Sequence, residues 1–161
     1  NEDIIFNIDF FMDAKTCNTL KFAPYHYVKH TGSTTGSFIP TYYKDIMIKI
    51  DRLYSQLGYW GMQTDKNLEF IALRYTRYLF SALERNCDKR AEMNHRQRKE
   101  LYRNELETKR YRRLSKHLKG QGFLGIMARV LRTKSCFLCL GIGRIIYFVK
   151  KFMPKLFVKL S

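Results

Sequence analysis

Apolar residues recur at helical spacing through the middle of the chain, and this periodicity restricts the fold more than any other feature. One stripe consists of Tyr43, Ile46, Ile50, Leu53 and Leu57. A second stripe consists of Leu68, Ile71, Ala72, Tyr75, Leu79, Ala82 and Leu83. Steps of three and four residues place each set on one face of an α-helix. We therefore predict two amphipathic helices, the first interrupted at Gly58 and Gly61 and the second ending near Asn86.

The segments around these helices have weaker signals. Apolar residues also follow helical spacing directly after Asn1-Glu2-Asp3, which supplies a cap and first-turn acids, so we predict a first helix that buries its Ile/Phe face. Residues 19–28 are rich in aromatic residues and contain Pro24, which favours a short strand closed by a Gly/Ser/Thr loop at 31–37. Residues 91–118 are strongly charged, which suits a solvated helix or a helical connector.

The composition is that of a folded protein with reduced cysteines. A chain of 161 residues with 45% hydrophobic residues can form one core, and disorder is excluded. Four cysteines, Cys17, Cys87, Cys136 and Cys139, are too few for a disulfide framework of this size. Cys136 and Cys139 form a CxxC pair without a second Cys/His pair at zinc spacing. We expect them to pack in apolar surroundings, with metal or redox chemistry as the alternative.

Positive charge is concentrated in the last third of the chain. Residues 1–107 contain 16 Lys/Arg and 14 Asp/Glu, whereas residues 108–161 contain 14 Lys/Arg and no acidic residue. Such a region attracts polyanions, either an anionic membrane surface or nucleic acid.

The tail from Gly122 onward combines this charge with apolar residues. Its most apolar run, 136–149, is shorter than the roughly 20 residues of a spanning helix and contains Arg144. We therefore predict an amphipathic helix lying in the plane of an anionic membrane, with its lysines at the headgroups. The alternative is a helical hairpin that packs on the domain and leaves its basic residues solvated.

An ordered set of motifs lies at the start of the chain. Asn1-Glu2-Asp3-Ile4-Ile5-Phe6-Asn7 precedes an apolar helix, then Pro24-Tyr25-His26-Tyr27, then Gly32-Ser33-Thr34-Thr35. The acid pair alone has a simpler explanation, because a helix dipole stabilises first-turn acids by roughly 0.3–1 kcal/mol each. In this order, however, about residues 1–45 resemble the C-terminal part of the catalytic domain in bacterial family 2 glycosyltransferases that build polysaccharides.

The resemblance implies an α/β fold of the GT-A type, of which this chain would be the C-terminal part, itself mostly helical with one or two short strands. It implies transfer of a sugar from a nucleotide-sugar donor to a glycan or lipid-linked acceptor, with inversion, in cell-surface polysaccharide synthesis. Asp3 would be the catalytic base and Glu2 an orienting or acceptor-binding group. The family's donor diphosphate is held with a divalent cation, Mg²⁺ or Mn²⁺, through an Asp-x-Asp motif. This sequence contains no Asp-x-Asp, so we expect the donor half upstream of Asn1 and no turnover by this chain alone.

Further site residues follow from the same resemblance. His26, Lys29, His30 and Ser33 are the candidates for contact with the donor phosphates, where a basic or hydroxyl group stabilises the leaving diphosphate. Strand-end charges and turn residues are the simpler interpretation of the same four positions. We expect no metal site within the chain, with His26 as a weak candidate. Trp60 is the aromatic residue best suited to an acceptor sugar, whereas core packing is favoured for Tyr42, Tyr43, Tyr54 and Tyr59.

These inferences divide the chain into three parts and fix its expected partners. Residues 1–60 belong to the catalytic domain, 61–120 form amphipathic and charged helices, and 121–161 form the basic tail. The partners are the sugar donor, the acceptor and the inner face of the cell membrane, where we expect a cytoplasmic, peripheral protein that binds no nucleic acid. Two alternatives remain. The first is a basic helical module without catalytic activity that binds either a membrane or nucleic acid, the latter through residues 96–134. The second is a purely structural helical adaptor.

Overall fold

The computed structural model describes residues 2–19, 21–22 and 38–153, and these residues form α-helices joined by short connections. The α-helices are α1 (Glu2–Asp13), α2 (Tyr42–Tyr59), α3 (Asp65–Arg85), α4 (His95–Glu107), α5 (Lys109–Leu114), α6 (Gly122–Arg132) and α7 (Cys136–Phe152). Two 3₁₀ turns, Lys89–Ala91 and Ser115–His117, lie between them.

The expected α/β class is wrong for this part of the chain, which is all-helical and contains neither strand nor sheet in the described ranges. The physical reason is that apolar residues repeat here every three to four positions, so each segment buries its stripe against another helix. The α/β expectation came from the family resemblance and not from this pattern. Most of the predicted extended segment at 19–28, including Tyr25-His26-Tyr27, and the loop at 31–37 lie outside the described residues. The described residues of that segment, Thr19, Lys21 and Phe22, are not in a strand.

The two strongest helix predictions are confirmed. The first stripe forms α2, which continues through Gly58 to Tyr59, so the predicted interruption at Gly58 is wrong. The chain turns at Gly61, as predicted, whose φ of 65° is a left-handed conformation that suits glycine. The second stripe forms α3, which begins at Asp65, three residues before the first apolar position of the stripe. Thr64 sets that start, since its hydroxyl accepts a hydrogen bond of 3.3 Å from the Asn67 backbone N–H.

The charged segment at 91–118 is helical, but it is more buried than predicted. Asn94 and Gln97 form a capping box that starts α4. Thr108 separates α4 from α5 and caps α5 through its hydroxyl, which accepts from the Tyr111 backbone N–H. Tyr102 and Tyr111 are fully buried, so α4 and α5 contribute to the core instead of forming a solvated connector.

Helix α3 lies at the centre of the described fold. It packs against α2, α6 and α7, and α1 packs on the outer side of α2. The largest fully buried side chains come from five of the helices and the turn after α5: Tyr75, Tyr102, Tyr111, Phe80, Ile46, Ile50, Leu79, Leu83, Leu114, Leu118, Leu131 and Glu105. None of the helices among the described residues has both the length and the hydropathy needed to cross a bilayer.

Candidate functional site

The predicted acid motif lies in the first turn of α1. Glu2 begins this helix and Asp3 follows it, which confirms the predicted helix start. The helix is held on α2 by Ile8, which is buried, and by the Gln56 side-chain amide, which donates a hydrogen bond of 3.0 Å to the Ile8 carbonyl. An ion pair between Asp9 and Arg52, 3.5 Å apart, adds little because both side chains are about half exposed. The motif is therefore carried by a helix anchored at its middle.

Most of the apolar surface of α1 is exposed, contrary to the prediction that its Ile/Phe face is buried. Phe6 and Phe10 lie on the side opposite Ile8, and they are 68% and 62% exposed. Their rings stack with centroids 6.2 Å apart. Only Ile8 is buried among the apolar side chains of α1 that are described. The helix thus presents an aromatic surface away from α2.

The remaining predicted site residues are only partly described. His26, Lys29, His30 and Ser33 lie outside the described residues, as does the loop that contains Ser33. Trp60 directly follows α2 and is 41% exposed. Of the other aromatic candidates, three pack against the core as expected: Tyr42, Tyr43 and Tyr54. Tyr59 is exposed, contrary to that expectation.

A buried carboxylate, which the sequence did not predict, lies where four helices meet. Both oxygens of Glu105 on α4 accept hydrogen bonds from Arg110 on α5, from Nε to Oε1 at 2.9 Å and from Nη2 to Oε2 at 2.8 Å. Tyr75 on α3 donates to Oε1 at 2.8 Å, and Tyr43 on α2 donates to Oε2 at 2.5 Å. The Glu105 side chain is fully buried. Arg110 also pairs with Asp51 on α2 at the surface.

This cluster is built to hold helices together and not to carry out chemistry. Burial, together with the neighbouring Glu105 charge, raises the pKa of Tyr43 and of Tyr75 well above the ordinary tyrosine value. Burial opposes the charge of Arg110, but the hydrogen bonds that Arg110 donates to Glu105 and the attraction of that carboxylate outweigh it, so the pKa of Arg110 is also raised. Both tyrosines therefore stay neutral donors, and the carboxylate has no exposed oxygen to offer a substrate.

The two cysteines of the CxxC pair lie in α7, and Cys139 packs in the core as predicted. Its thiol is fully buried and accepts a hydrogen bond of 2.9 Å from the Tyr102 hydroxyl. Burial raises the pKa of the Cys139 thiol to about 11. Cys136 is partly buried, and all four cysteines are free. Within the described ranges, no group of three or more His, Cys, Asp or Glu residues is placed to hold a metal ion.

A groove of about 650 Å³ opens along one side of α3. Its lining residues are Tyr42, Phe70, Leu73, Arg74, Arg77, Tyr78, Ser81 and Leu124. The Arg74 guanidinium lies 4.6 Å from the centre of the Phe70 ring, and the Tyr42 hydroxyl donates to Ser81 Oγ at 3.0 Å. Because two arginines and no acidic residue line the groove, it suits an anionic ligand with an apolar or ring-shaped part.

Helix α7 has one buried and one exposed apolar side. Cys139, Leu140 and Gly143 are buried, and the helix packs mainly on α3. On the other side, Phe137, Ile145, Phe148 and Phe152 are 86%, 62%, 51% and 60% exposed. Helix α7 thus packs on the domain, as the helical-hairpin alternative predicted, and it also leaves an amphipathic surface exposed.

Comparisons with protein-family models, curated proteins and solved structures found no match to this chain.

Proposed function

We propose that the chain carries the acceptor side of an inverting glycosyltransferase that moves a sugar from a nucleotide-sugar donor to a glycan or lipid-linked acceptor in cell-surface polysaccharide synthesis. The observation that supports this proposal most is the acid pair in the first turn of α1, followed along the chain by the remaining motifs in the family's order. A first-turn position suits a base, since the positive end of the helix dipole favours the ionised carboxylate.

Asp3 acts as the general base in this proposal. It removes the proton from the acceptor hydroxyl while that oxygen attacks the anomeric carbon, and the donor diphosphate leaves from the opposite face of the sugar, so the configuration inverts. Glu2 orients the acceptor beside it. The contacts of Ile8 and Gln56 hold α1 on α2 and so keep the first turn of α1 in a fixed position. A general base needs a fixed position because the rate of proton transfer depends on its distance from the acceptor hydroxyl.

The other predicted residues have roles on the two substrates. His26, Lys29, His30 and Ser33 stabilise the negative charge that builds on the leaving diphosphate. The half-exposed ring of Trp60 stacks on the acceptor sugar, for which a flat apolar surface is suited. The described residues do not fit the divalent cation of the family, Mg²⁺ or Mn²⁺, because no group of three or more His, Cys, Asp or Glu residues among them is placed to hold it. No step is therefore assigned to a cation bound by them.

The test is sugar transfer by the full-length protein as the cell makes it. Labelled nucleotide sugars of several kinds are offered with a lipid-linked or oligosaccharide acceptor fraction, and the product is separated and its anomeric configuration determined. We expect transfer from one donor class with inversion, and a higher acceptor KM for Trp60→Ala than for the matched Tyr59→Ala. Absence of transfer from every donor by the folded protein, or retention of configuration, would contradict the proposal.

A further inference from the structure

We propose that the exposed side of α7 binds the surface of an anionic phospholipid bilayer, with the helix lying in the membrane plane. This outer face of α7 consists of Phe137, Gly141, Arg144, Ile145, Phe148, Lys151 and Phe152. The inference does not depend on sugar transfer, so either proposal can fail without the other.

The outer face is continuous because its members are separated by one, three or four residues. These steps place them on one side of a helix that is 17 residues long. Phe148 and Phe152 touch, with ring centroids 4.7 Å apart. Four large apolar side chains that are each more than half exposed form a surface that water solvates poorly, and an interfacial helix inserts such side chains at the headgroup boundary.

The inner side of α7 is already occupied, so the bundle cannot cover the outer face by rotating the helix. Gly143 lets α7 approach α3 closely, since a Cβ at this position would lie 3.0 Å from the Leu83 Cβ. Lys150 Nζ pairs with a Glu84 carboxylate oxygen at 3.2 Å. The outer face is therefore presented by a helix that is already folded and fixed, and docking requires no coil-to-helix transition.

Charge identifies the occupant as an anionic surface. Arg144 and Lys151 lie on the outer face, and exposed Arg129, Arg132 and Lys134 lie on or just after the neighbouring α6. No acidic residue occurs from position 108 to the end of the chain. The acidic residues near α7 are each paired with a cation, Glu84 with Lys150 and Asp88 with Arg90, so repulsion from lipid phosphates is weak there. The cytoplasmic leaflet carries such anionic lipids.

Apolar content decides between a bilayer and a nucleic acid. A phosphate backbone would pair with Arg144 and Lys151 but would leave Phe137 and Ile145 exposed to water. A bilayer interface accepts both kinds of group at once, cations at the headgroups and aromatic rings just below them. The arrangement on α7 fits the second environment.

The first test measures binding of the full chain to vesicles of phosphatidylcholine with and without phosphatidylglycerol, by co-sedimentation. We expect binding that requires the anionic lipid and weakens as salt is added. Arg144→Gln with Lys151→Gln should lower the partition coefficient about thirtyfold, and Phe137→Ser with Phe148→Ser at least about tenfold. The matched controls are Lys15→Gln with Lys66→Gln and Phe6→Ser with Phe70→Ser. They remove two cations and two phenyl rings from other exposed positions and should bind like the wild type. Circular dichroism verifies that each variant is folded.

A second test shows which surface meets the lipid. Trp60 is the only tryptophan in the sequence, and it lies just before the start of α3. Helix α7 packs on Leu83 and Glu84 near the end of α3. The 21 residues of α3 separate these two places by about 30 Å. In a Trp60→Phe, Phe148→Trp variant, lipids brominated on their acyl chains should quench the fluorescence strongly. In the wild type, Trp60 fluorescence should stay unchanged on the same vesicles.

Three results would overturn the proposal. The first is equal binding by the outer-face variants and their controls. The second is binding to duplex DNA but not to anionic vesicles, which would make the tail a nucleic-acid module. The third is a concentration-dependent dimer that Phe137→Ser with Phe148→Ser dissociates while vesicles do not compete, which would make the outer face a contact between two copies of the chain.

Discussion

Arg110 binds both carboxylate oxygens of Glu105 across the break between α4 and α5. Thr108 forms that break, and its hydroxyl donates to the Glu105 carbonyl at 2.7 Å. The pair therefore closes the end of one helix onto the start of the next. Since Tyr43 and Tyr75 donate to the same carboxylate, this arrangement also fixes α2 and α3 relative to the bend.

Removal of the Arg110 charge should destabilise the fold strongly. In Arg110→Met, Glu105 keeps its two tyrosine donors but loses its cation while fully buried, and breaking a buried pair in this way costs about 3–5 kcal/mol. The free energy of unfolding, measured in urea by circular dichroism, gives the result.

The control is Arg90→Met, which removes a cation from an exposed pair with Asp88 in which the arginine side chain is 63% exposed. It should change the free energy of unfolding little, because solvent screens such pairs. Equal stability of Arg110→Met and the wild type would show that the Glu105 cluster does not hold the helices.

The protein should lose stability as the pH rises from about 9 to about 11. The Cys139 thiol titrates near 9.0 when unfolded, and burial raises its pKa to about 11 in the fold. Between these values the unfolded chain releases a proton that the folded chain retains, so the unfolded state is favoured as pH rises. Cys139→Ser keeps an atom that accepts from Tyr102 but does not titrate, and should make the loss of stability between pH 9 and 10 shallower. The remaining loss comes from tyrosines whose pKa burial raises, among them Tyr43 and Tyr75. Cys17→Ser, at an exposed position, should leave it unchanged. Urea titrations at each pH provide the measurement.

Two glycines of α7 should respond in opposite directions to alanine. Gly143→Ala places a Cβ 3.0 Å from the Leu83 Cβ and 3.2 Å from its carbonyl carbon, so α7 must move away from α3 at a cost of about 1–3 kcal/mol. At Gly141 nothing lies within 4 Å of an added Cβ. Gly141→Ala should raise the free energy of unfolding by up to about 1 kcal/mol, through helix propensity alone. Thermal melts measure the change in melting temperature of each variant. Changes of the same sign in Gly143→Ala and Gly141→Ala would contradict the packing of α7 on α3.

The attachment of α1 should depend on Gln56. In Gln56→Ala the Ile8 carbonyl loses its side-chain donor, which costs about 1 kcal/mol for local opening and should speed α1 amide exchange about fivefold. Ser55→Ala is the neighbouring control, since the Ser55 hydroxyl donates to the Asp51 carbonyl within α2. Hydrogen exchange followed by mass spectrometry resolves the two. Unchanged exchange of α1 in Gln56→Ala would mean that other contacts anchor this helix.

The sequence predicted the helices with regular apolar stripes and failed where polar groups are buried. The stripes through Ile46 and Ile71 identified α2 and α3, because apolar residues that repeat about every 3.6 positions share one face only in an α-helix. Residues 91–118 were assigned to solvent because charge dominates there, yet Glu105 is fully buried and is neutralised by Arg110, whose side chain is only 12% exposed. The sequence did contain one indication of a buried polar partner. Tyr43 and Tyr75 lie on the apolar stripes, and a buried tyrosine hydroxyl needs a hydrogen-bond partner.

For the candidate site, the sequence predicted the helix that carries Glu2 and Asp3 but not how that helix is held. Local pattern places Glu2 and Asp3 at a helix start, which the structure confirms. It does not reveal that Gln56, more than forty residues later, fixes that helix, because such a contact depends on how α1 and α2 pack. The α/β class failed for a related reason: it came from the family resemblance of residues 1–45, whereas the residues after 42 follow their own helical period.

The most direct measurement of the central claim is sugar transfer by Asp3→Asn in the full-length protein. A general base contributes roughly 10²–10⁴-fold to the rate, so kcat should fall by at least about 100-fold while the melting temperature changes little. Asp13→Asn, at the exposed last position of the same helix, should transfer sugar at the wild-type rate. Full activity of Asp3→Asn, or an equal loss in Asp13→Asn, would contradict the assignment of Asp3 as the base.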